Sequence, residues 1–288
     1  MKSEKYHINP ESFENALKFT EGKTGFTARL IEKDYYCSMI LKELYSGDDH
    51  PLIFKGGTLL NKVHAPFYRL SEDLDFSINV DEKTTRQGRS KLVAPIKILF
   101  KHICSMLEYT IEKELMGSNE SFQYNGWVGY QSVITKNKEN ISFEVGIREK
   151  IFEPVFKGMA NTLLMDPFTA KPIISPFMVI GLSVLESYAE KIRAVFERLT
   201  PAIRDIYDIF YAHENKIIDF TNKNLLTLIK LKLKVKNVAK FNIAPHRKEE
   251  FQAQLENNLK PVLREKDYLS FDFERAWKIV LKVAKRLS

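Results

Sequence analysis

The apolar pattern of this chain changes period several times, and each change marks an element. Asn9 ahead of Pro10 fits an N-cap with proline in the first helical turn, which predicts a short opening helix. Thr27 starts a second helix, where Leu30, Tyr35, Met39, Ile40, Leu41 and Leu44 recur at helical spacing up to a stop at residues 46–49. Residues 51–54 read as a short buried strand, Gly56-Gly57 as its turn, and residues 58–64 as a helix ending before Pro66. Residues 74–80 alternate as a strand does. Residues 90–116 read as one long helix with Pro95 near its start. Alternating runs at 126–135 and 140–147, joined by Lys136-Asn137-Lys138-Glu139, predict a hairpin.

Beyond Glu153-Pro154 the pattern turns helical. Ser183 with Glu186 is a capping-box signature for a helix to about Leu199, and Thr200-Pro201 caps another to about Glu214. The period-two run from Ile229 to Lys236 fits a strand or an exposed helix equally. The expected division is a core with N-terminal helices over residues 1–165 and a mostly helical domain over 166–288. The fold class is α+β.

Composition narrows the function. The chain has 288 residues, is 44% hydrophobic, and contains no apolar run able to cross a bilayer. Its N-terminus has no apolar signal core, so a soluble cytoplasmic protein is expected. Two cysteines, Cys37 and Cys104, are too few for a disulfide framework and read as buried core thiols. The net charge of +7 is uneven. Residues 1–214 carry 27 Lys+Arg against 29 Asp+Glu, and residues 215–288 carry 17 against 8. A basic last quarter suits a polyanion such as RNA, although a lysine-rich solvated helical region has the same composition.

The candidate chemistry lies in four short pieces. Strand–Gly56-Gly57-Thr58–helix puts backbone N–H groups at a helix N-terminus, where they and the helix dipole favour phosphate. It is not a Walker A loop, because Lys62 lacks the Gly-Lys-Ser/Thr ending. Asp73 and Asp75 are two residues apart on a strand and share a face, where two carboxylates repel unless a cation lies between them. A Mg²⁺ held by few carboxylates plus substrate phosphates fits that pair. Glu144 is the candidate third carboxylate, to seat a second metal ion or act as a base: Ile141, Phe143, Val145 and Ile147 share one strand face, and Ser142 and Glu144 the other. Lys191 lies mid-helix, and Arg204, Asp205 and Asp208 share one surface at i, i+3 and i+4 spacing. By spacing alone those four make an ordinary ion-pair pattern. The histidines show no metal-ligand spacing, and no Gly-x-Ser-x-Gly is present.

Taken together, Ile31-Glu32-Lys33-Asp34-Tyr35-Tyr36, Phe54-Lys55-Gly56-Gly57-Thr58-Leu59, Arg69-Leu70-Ser71-Glu72-Asp73-Leu74-Asp75-Phe76-Ser77, Glu190-Lys191-Ile192-Arg193-Ala194, Arg198 and Arg204-Asp205-Ile206-Tyr207-Asp208 resemble the AbiEii/AbiGii family of nucleotidyltransferase toxins from type IV toxin–antitoxin systems. The resemblance spans residues 27–212. It implies a polymerase-β-like nucleotidyltransferase core with a mixed sheet, followed by a C-terminal helical region. It implies Gly57 and Thr58 at the triphosphate, with Lys55, Gly56, Arg69, Ser71 and Arg204 also on the nucleotide. Asp73 and Asp75 would hold magnesium, with manganese as the alternative, and Lys191 would meet phosphate. Asp205 or Asp208 would be the late essential aspartate. The expected reaction moves NMP from an NTP to an acceptor, foremost the 3′ end of tRNA, blocking translation. An AbiEi-like antitoxin encoded nearby is the expected partner. The competing readings are a non-catalytic nucleotide-binding module and a small-molecule nucleotidyltransferase.

Overall fold

In the computed structural model, which describes residues 5–47, 50–81, 83–147, 150–235 and 243–287, the chain divides into two compact units. One comprises Met1–Lys150 with Val155–Gly181, the other Ile151–Pro154 with Leu182–Ser288.

The first unit opens as the sequence predicts. Helix α1 (Pro10–Thr24) starts with the Asn9 side chain accepting from the Ser12 N–H and ends at Gly25 with φ 80°. Helix α2 (Ala28–Ser46) buries every apolar position named above. Seven strands then form one mixed sheet: β1 (Ile53–Lys55), β2 (Leu74–Ser77), β3 (Thr110–Ser118), β4 (Gln123–Gln131), β5 (Lys138–Gly146), β6 (Phe156–Ala160) and β7 (Phe177–Gly181), in spatial order 3-4-5-2-1-7-6. β2 lies antiparallel to β1 and parallel to β5. The predicted hairpin is β4–β5. On one sheet face Phe54, Phe76 and Phe143 are buried in a ladder, with Phe76 and Phe143 ring centroids 4.8 Å apart. Phe100 of α4 (Arg86–Leu107) packs edge-on against Phe143. This apolar layer leaves the alternate residues of β1, β2 and β5 on the opposite face.

Three expectations are corrected. The helix expected to reach residue 116 ends at Leu107, where Glu108 turns left-handed with φ 61° and β3 begins. Beyond that point the buried positions Tyr109 and Leu115 follow strand rather than helix spacing. The stretch after residue 154 is not helical at first but forms β6 and β7. Both strands are half exposed, with Met159 and Met178 outward and small residues inward, which disguises the alternation. The helix expected from Thr58 begins earlier, at Gly56: α3 (Gly56–Leu59) widens into a π turn at Leu60–His64.

The second unit is helical: α5 (Val184–Glu197), α6 (Ile203–Glu214), α7 (Lys223–Val235), α8 (Pro245–Gln252), α9 (Glu265–Leu269) and α10 (Phe273–Leu287). Ser183 caps α5 by accepting from the Glu186 N–H. The Glu186 carboxylate turns to the N–H groups of Phe152 and Glu153 at 3.1 and 2.8 Å, and to Lys232 at 2.7 Å. The ambiguous lysine-rich run is helical within α7, with Leu225, Leu228, Ile229 and Leu233 buried at i, i+3, i+4 spacing. Lys236 lies outside the described residues. No helix among the described residues is long and apolar enough to cross a membrane. Both cysteines are buried, and burial pushes their thiols up, that of Cys104 to about 11.

The cap of α6 also differs from expectation. It comes from Gln254, not from Thr200. The Gln254 side chain accepts from the Ile203 N–H at 3.1 Å and donates to the Pro201 carbonyl at 3.0 Å. Gln254→Ala should therefore cost about 1 kcal/mol, the usual loss of an N-cap. Chemical denaturation of the full chain checks it; an unchanged midpoint would show that the cap contributes nothing.

Candidate active site

Four neighbouring strands set a row of polar side chains on the face opposite the phenylalanines. Lys55 is in register with Asp75, Asp75 with Glu144, and Glu144 with Asn125 of β4. Directly opposed residues project to the same face, so Lys55, Asp75, Glu144 and Asn125 form a transverse line of cation, two carboxylates and amide. Asp73 lies one residue ahead of β2, and its carbonyl accepts from the Thr58 hydroxyl. The Lys55 ammonium extends along the sheet to within 3.7 Å of where a side chain on Gly146 would begin.

The glycines allow the turn to sit against this row. Gly56 has φ 80°, which a side chain rarely tolerates, and a Cβ there would collide with the Asp75 carboxylate. A Cβ on Gly57 would lie 2.5 Å from a terminal nitrogen of Arg69 and 2.9 Å from Ser71 Oγ. Both positions thus need glycine because polar side chains press against the backbone. Thr58 and Arg69, expected at the nucleotide, occupy the layer beneath the turn. Thr58 is buried and holds Asp73, while Arg69 is 1% exposed, lies over Tyr68 and donates to the Leu70 carbonyl. Ser71 is also buried.

Helix α2 fixes this layer through three consecutive charged residues. Asp34 pairs with Lys62 at 2.6 Å, both side chains at most 1% exposed, and Lys62 also donates to Ser38. Lys33 pairs with Glu72 at 2.9 Å. Glu32 accepts from the Ser132 hydroxyl and the Val133 N–H, pinning the β4–β5 turn. Burial pushes the Glu32 carboxyl up, and those hydrogen bonds oppose the shift. Within the sequence these residues are only a charged run on a helix. Their partners lie 28 to 101 positions away.

The late residues form a cluster of their own in the second unit. Lys191 on α5 pairs with Asp205 at 2.7 Å and Asp208 at 3.0 Å, and Arg198 pairs with Asp205 at 3.1 Å. Both aspartates are buried and Arg204 is half-buried. The cations on Asp205 are thus Lys191 and Arg198. Sequence spacing gave no sign of what holds the segment from Arg198 to Ile203. Arg247 of α8, itself buried, donates to the carbonyls of Arg198 and Leu199, and Gln254 grips Pro201 and Ile203. Among the described residues, no group of three or more His, Cys, Asp or Glu side chains is gathered to hold a metal unaided.

The family model for the nucleotidyl transferase AbiEii toxin of type IV toxin–antitoxin systems matches residues 40–280. The chain belongs to this family. AbiEii membership makes a nucleotide the expected substrate and an antitoxin the expected partner. No curated protein sequence matches the chain. Among solved structures it is similar to MenT4, a nucleotidyltransferase toxin of Mycobacterium tuberculosis, with 15% identity, TM-score 0.53, and coverage of 96% of this chain and 98% of MenT4. It is similar also to JHP933 from Helicobacter pylori, with 15% identity, TM-score 0.50, and coverage of 91% and 94%. These likenesses show a shared fold across nearly the whole of each chain.

For this AbiEii protein the glycine turn makes a direct prediction. Gly56→Ala forces a left-handed alanine, costing about 1–2 kcal/mol, and displaces the Asp75 carboxylate. Nucleotide transfer should fall more than about tenfold, as sub-ångström to ångström misplacement in an active site does. Steady-state kinetics beside a melting curve checks it, and wild-type kinetics in the variant would contradict the role of the turn.

Proposed function

We propose that the protein transfers a nucleoside monophosphate from an NTP to an RNA acceptor, foremost the 3′ end of tRNA, and thereby blocks translation. The observation that carries this reading is the transverse line Lys55–Asp75–Glu144 beside a glycine turn that excludes side chains. The backbone N–H groups of the turn cradle phosphate oxygens, and Lys55 offsets their charge. In the reaction the acceptor hydroxyl oxygen forms a bond to the α-phosphorus, and the bond from that phosphorus to the β-phosphate oxygen breaks. Pyrophosphate leaves, and the hydroxyl proton passes to the Glu144 carboxylate. Positioning and charge carry such a step, since the phosphoryl centre needs little covalent help.

The donors on the row are oxygens, without histidine or thiolate, which suits magnesium or manganese rather than zinc. Asp73 and Asp75 would hold the ion with the substrate phosphates completing its shell. Two carboxylates are enough in that arrangement, because the substrate phosphates supply the remaining oxygens. When bound, the ion spreads the charge that develops on the phosphates. Lys191 is proposed to meet phosphate charge in exchange for part of its pairing with Asp205 and Asp208, on the strength of the family motif. The cytoplasm supplies both substrates, and an AbiEi-like antitoxin is the proposed partner.

The test incubates the protein with Mg²⁺, each α-labelled NTP in turn, and total tRNA. Label on tRNA with one preferred nucleotide is the expected result. NTP binding without label on any RNA would favour the non-catalytic module or a small-molecule acceptor.

A further inference from the structure

A cleft of about 940 Å³ in the second unit combines a rim of cations with an apolar floor. It opens between the end of α6, the connection to α7, and the last turns of α10. Lys282, Lys285 and Arg286 are spaced i, i+3, i+4 on α10, so they lie along one helix face, and all three are exposed. Lys216 faces them from the connection. Ile279 and Val283 form the floor. The rings of His213 and Phe220 stack at 18° with centroids 6.4 Å apart, and His213 is 44% exposed.

Three further observations separate this cleft from an ordinary lysine-rich surface. Many lysines elsewhere in this unit are paired, such as Lys232 with Glu186 and Glu190, Lys248 with Glu274, and Lys260 with Glu256. No ion pair of Lys216, Lys282 or Lys285 is found among the described residues. The acid in the cleft, Asp219, is held in its own turn by the Thr221 N–H and hydroxyl. Its carboxyl is held down first by those bonds and further by Arg286 and His213. Lys216 also occupies the position after the α6 C-cap with φ 54°. There the Lys216 N–H reaches the His213 carbonyl and the Ile217 N–H reaches Ala212, a closure in which glycine is the usual occupant. A lysine kept at a strained backbone position on a cationic rim points to a use for its charge.

We propose that this cleft holds a single-stranded stretch of the acceptor RNA, with phosphates on Lys216, Lys282, Lys285 and Arg286 and a base against His213 over Phe220. Cations beside a flat ring are how single strands are held without strong sequence preference. The proposal rests on the transferase reading, and within the basic last quarter it places the RNA contact on α10 and the α6–α7 connection, not on the lysines of α7. Lys232 there is buried between two glutamates and is not available to RNA.

Fluorescence anisotropy with a labelled RNA oligonucleotide tests it, using the full chain and Lys282→Glu/Lys285→Glu. The control is Lys230→Glu/Lys234→Glu on the exposed side of α7, which carries the same charge change. The cleft variant should bind RNA at least about tenfold more weakly, and its salt slope should fall by about 1.4, the share of two single-strand phosphate contacts. The control should stay near wild type. RNA binding retained in the cleft variant, or lost equally in the control, would overturn the proposal. Loss of NTP affinity with RNA affinity retained would overturn it in favour of a mononucleotide ligand. Wild-type protein that binds RNA through the cleft but transfers no nucleotide would instead overturn the transferase reading alone.

Discussion

Asp75→Ala should abolish nucleotide transfer, by about a thousandfold or more, while leaving the fold intact. Asp75 is the middle residue of the polar row, with Lys55 on one side and Glu144 on the other, and the Gly56 turn rests against its carboxylate. Its side chain is half-buried, and its strand is anchored by Leu74 and Phe76, which face the core on the opposite side. Removing the carboxylate takes a charge from the polar face of the sheet and leaves the apolar face untouched. It opens no apolar cavity. Asp75→Asn keeps the shape and loses the charge, so it should be equally inactive. The readout is transfer rate against melting temperature in the same preparations. Activity within tenfold of wild type in either variant would remove Asp75 from the reaction.

Asp34→Ala should have the largest effect on stability. Asp34 and Lys62 form an ion pair with both side chains essentially out of solvent. Taking two charges into the interior gains little net stability, but removing one partner leaves the other charge buried and uncompensated, at about 3–5 kcal/mol. Ser38 alone would then face the ammonium. The companion variant Asp34→Leu/Lys62→Met removes both charges and should recover most of the loss. Denaturant midpoints of the three proteins decide it. A single variant as stable as wild type would mean that water or a shifted partner reaches Lys62. Because Lys62 lies in the π turn that continues the glycine helix, the single variant should also lose transfer.

The local parts of this account were legible in the sequence. Asn9-Pro10, the alternation around residues 126–147 and Ser183 each act within a few residues and mark a helix start, a hairpin and a helix cap, while Gly56-Gly57 ends β1 as read but already belongs to the helix that follows. The row Lys55–Asp75–Glu144 was legible only in part. Periodicity put Asp75 and Glu144 on polar strand faces, but their adjacency depends on the register of β2 with β5. What the sequence hid acts over long separations. Glu32 reaches Ser132, Arg247 reaches Arg198, and Gln254 caps a helix that begins 51 residues earlier. Such side chains look like ordinary surface polar residues until the fold gives them a partner. Lys232 is the clearest case. In an alternating lysine run it reads as one of four equivalent charges, yet helical phase turns it inward to two glutamates. The strands β6 and β7 were hidden for a different reason. Glycine and methionine fill an edge whose alternation is too weak to read.

The most direct measurement uses one NTP labelled in parallel at the α- and the γ-phosphate, with Mg²⁺, the preferred RNA and wild-type protein. Nucleotidyl transfer predicts α-label on the RNA and γ-label only in released pyrophosphate. γ-Label on the RNA, or no label on RNA from either position, would contradict the account.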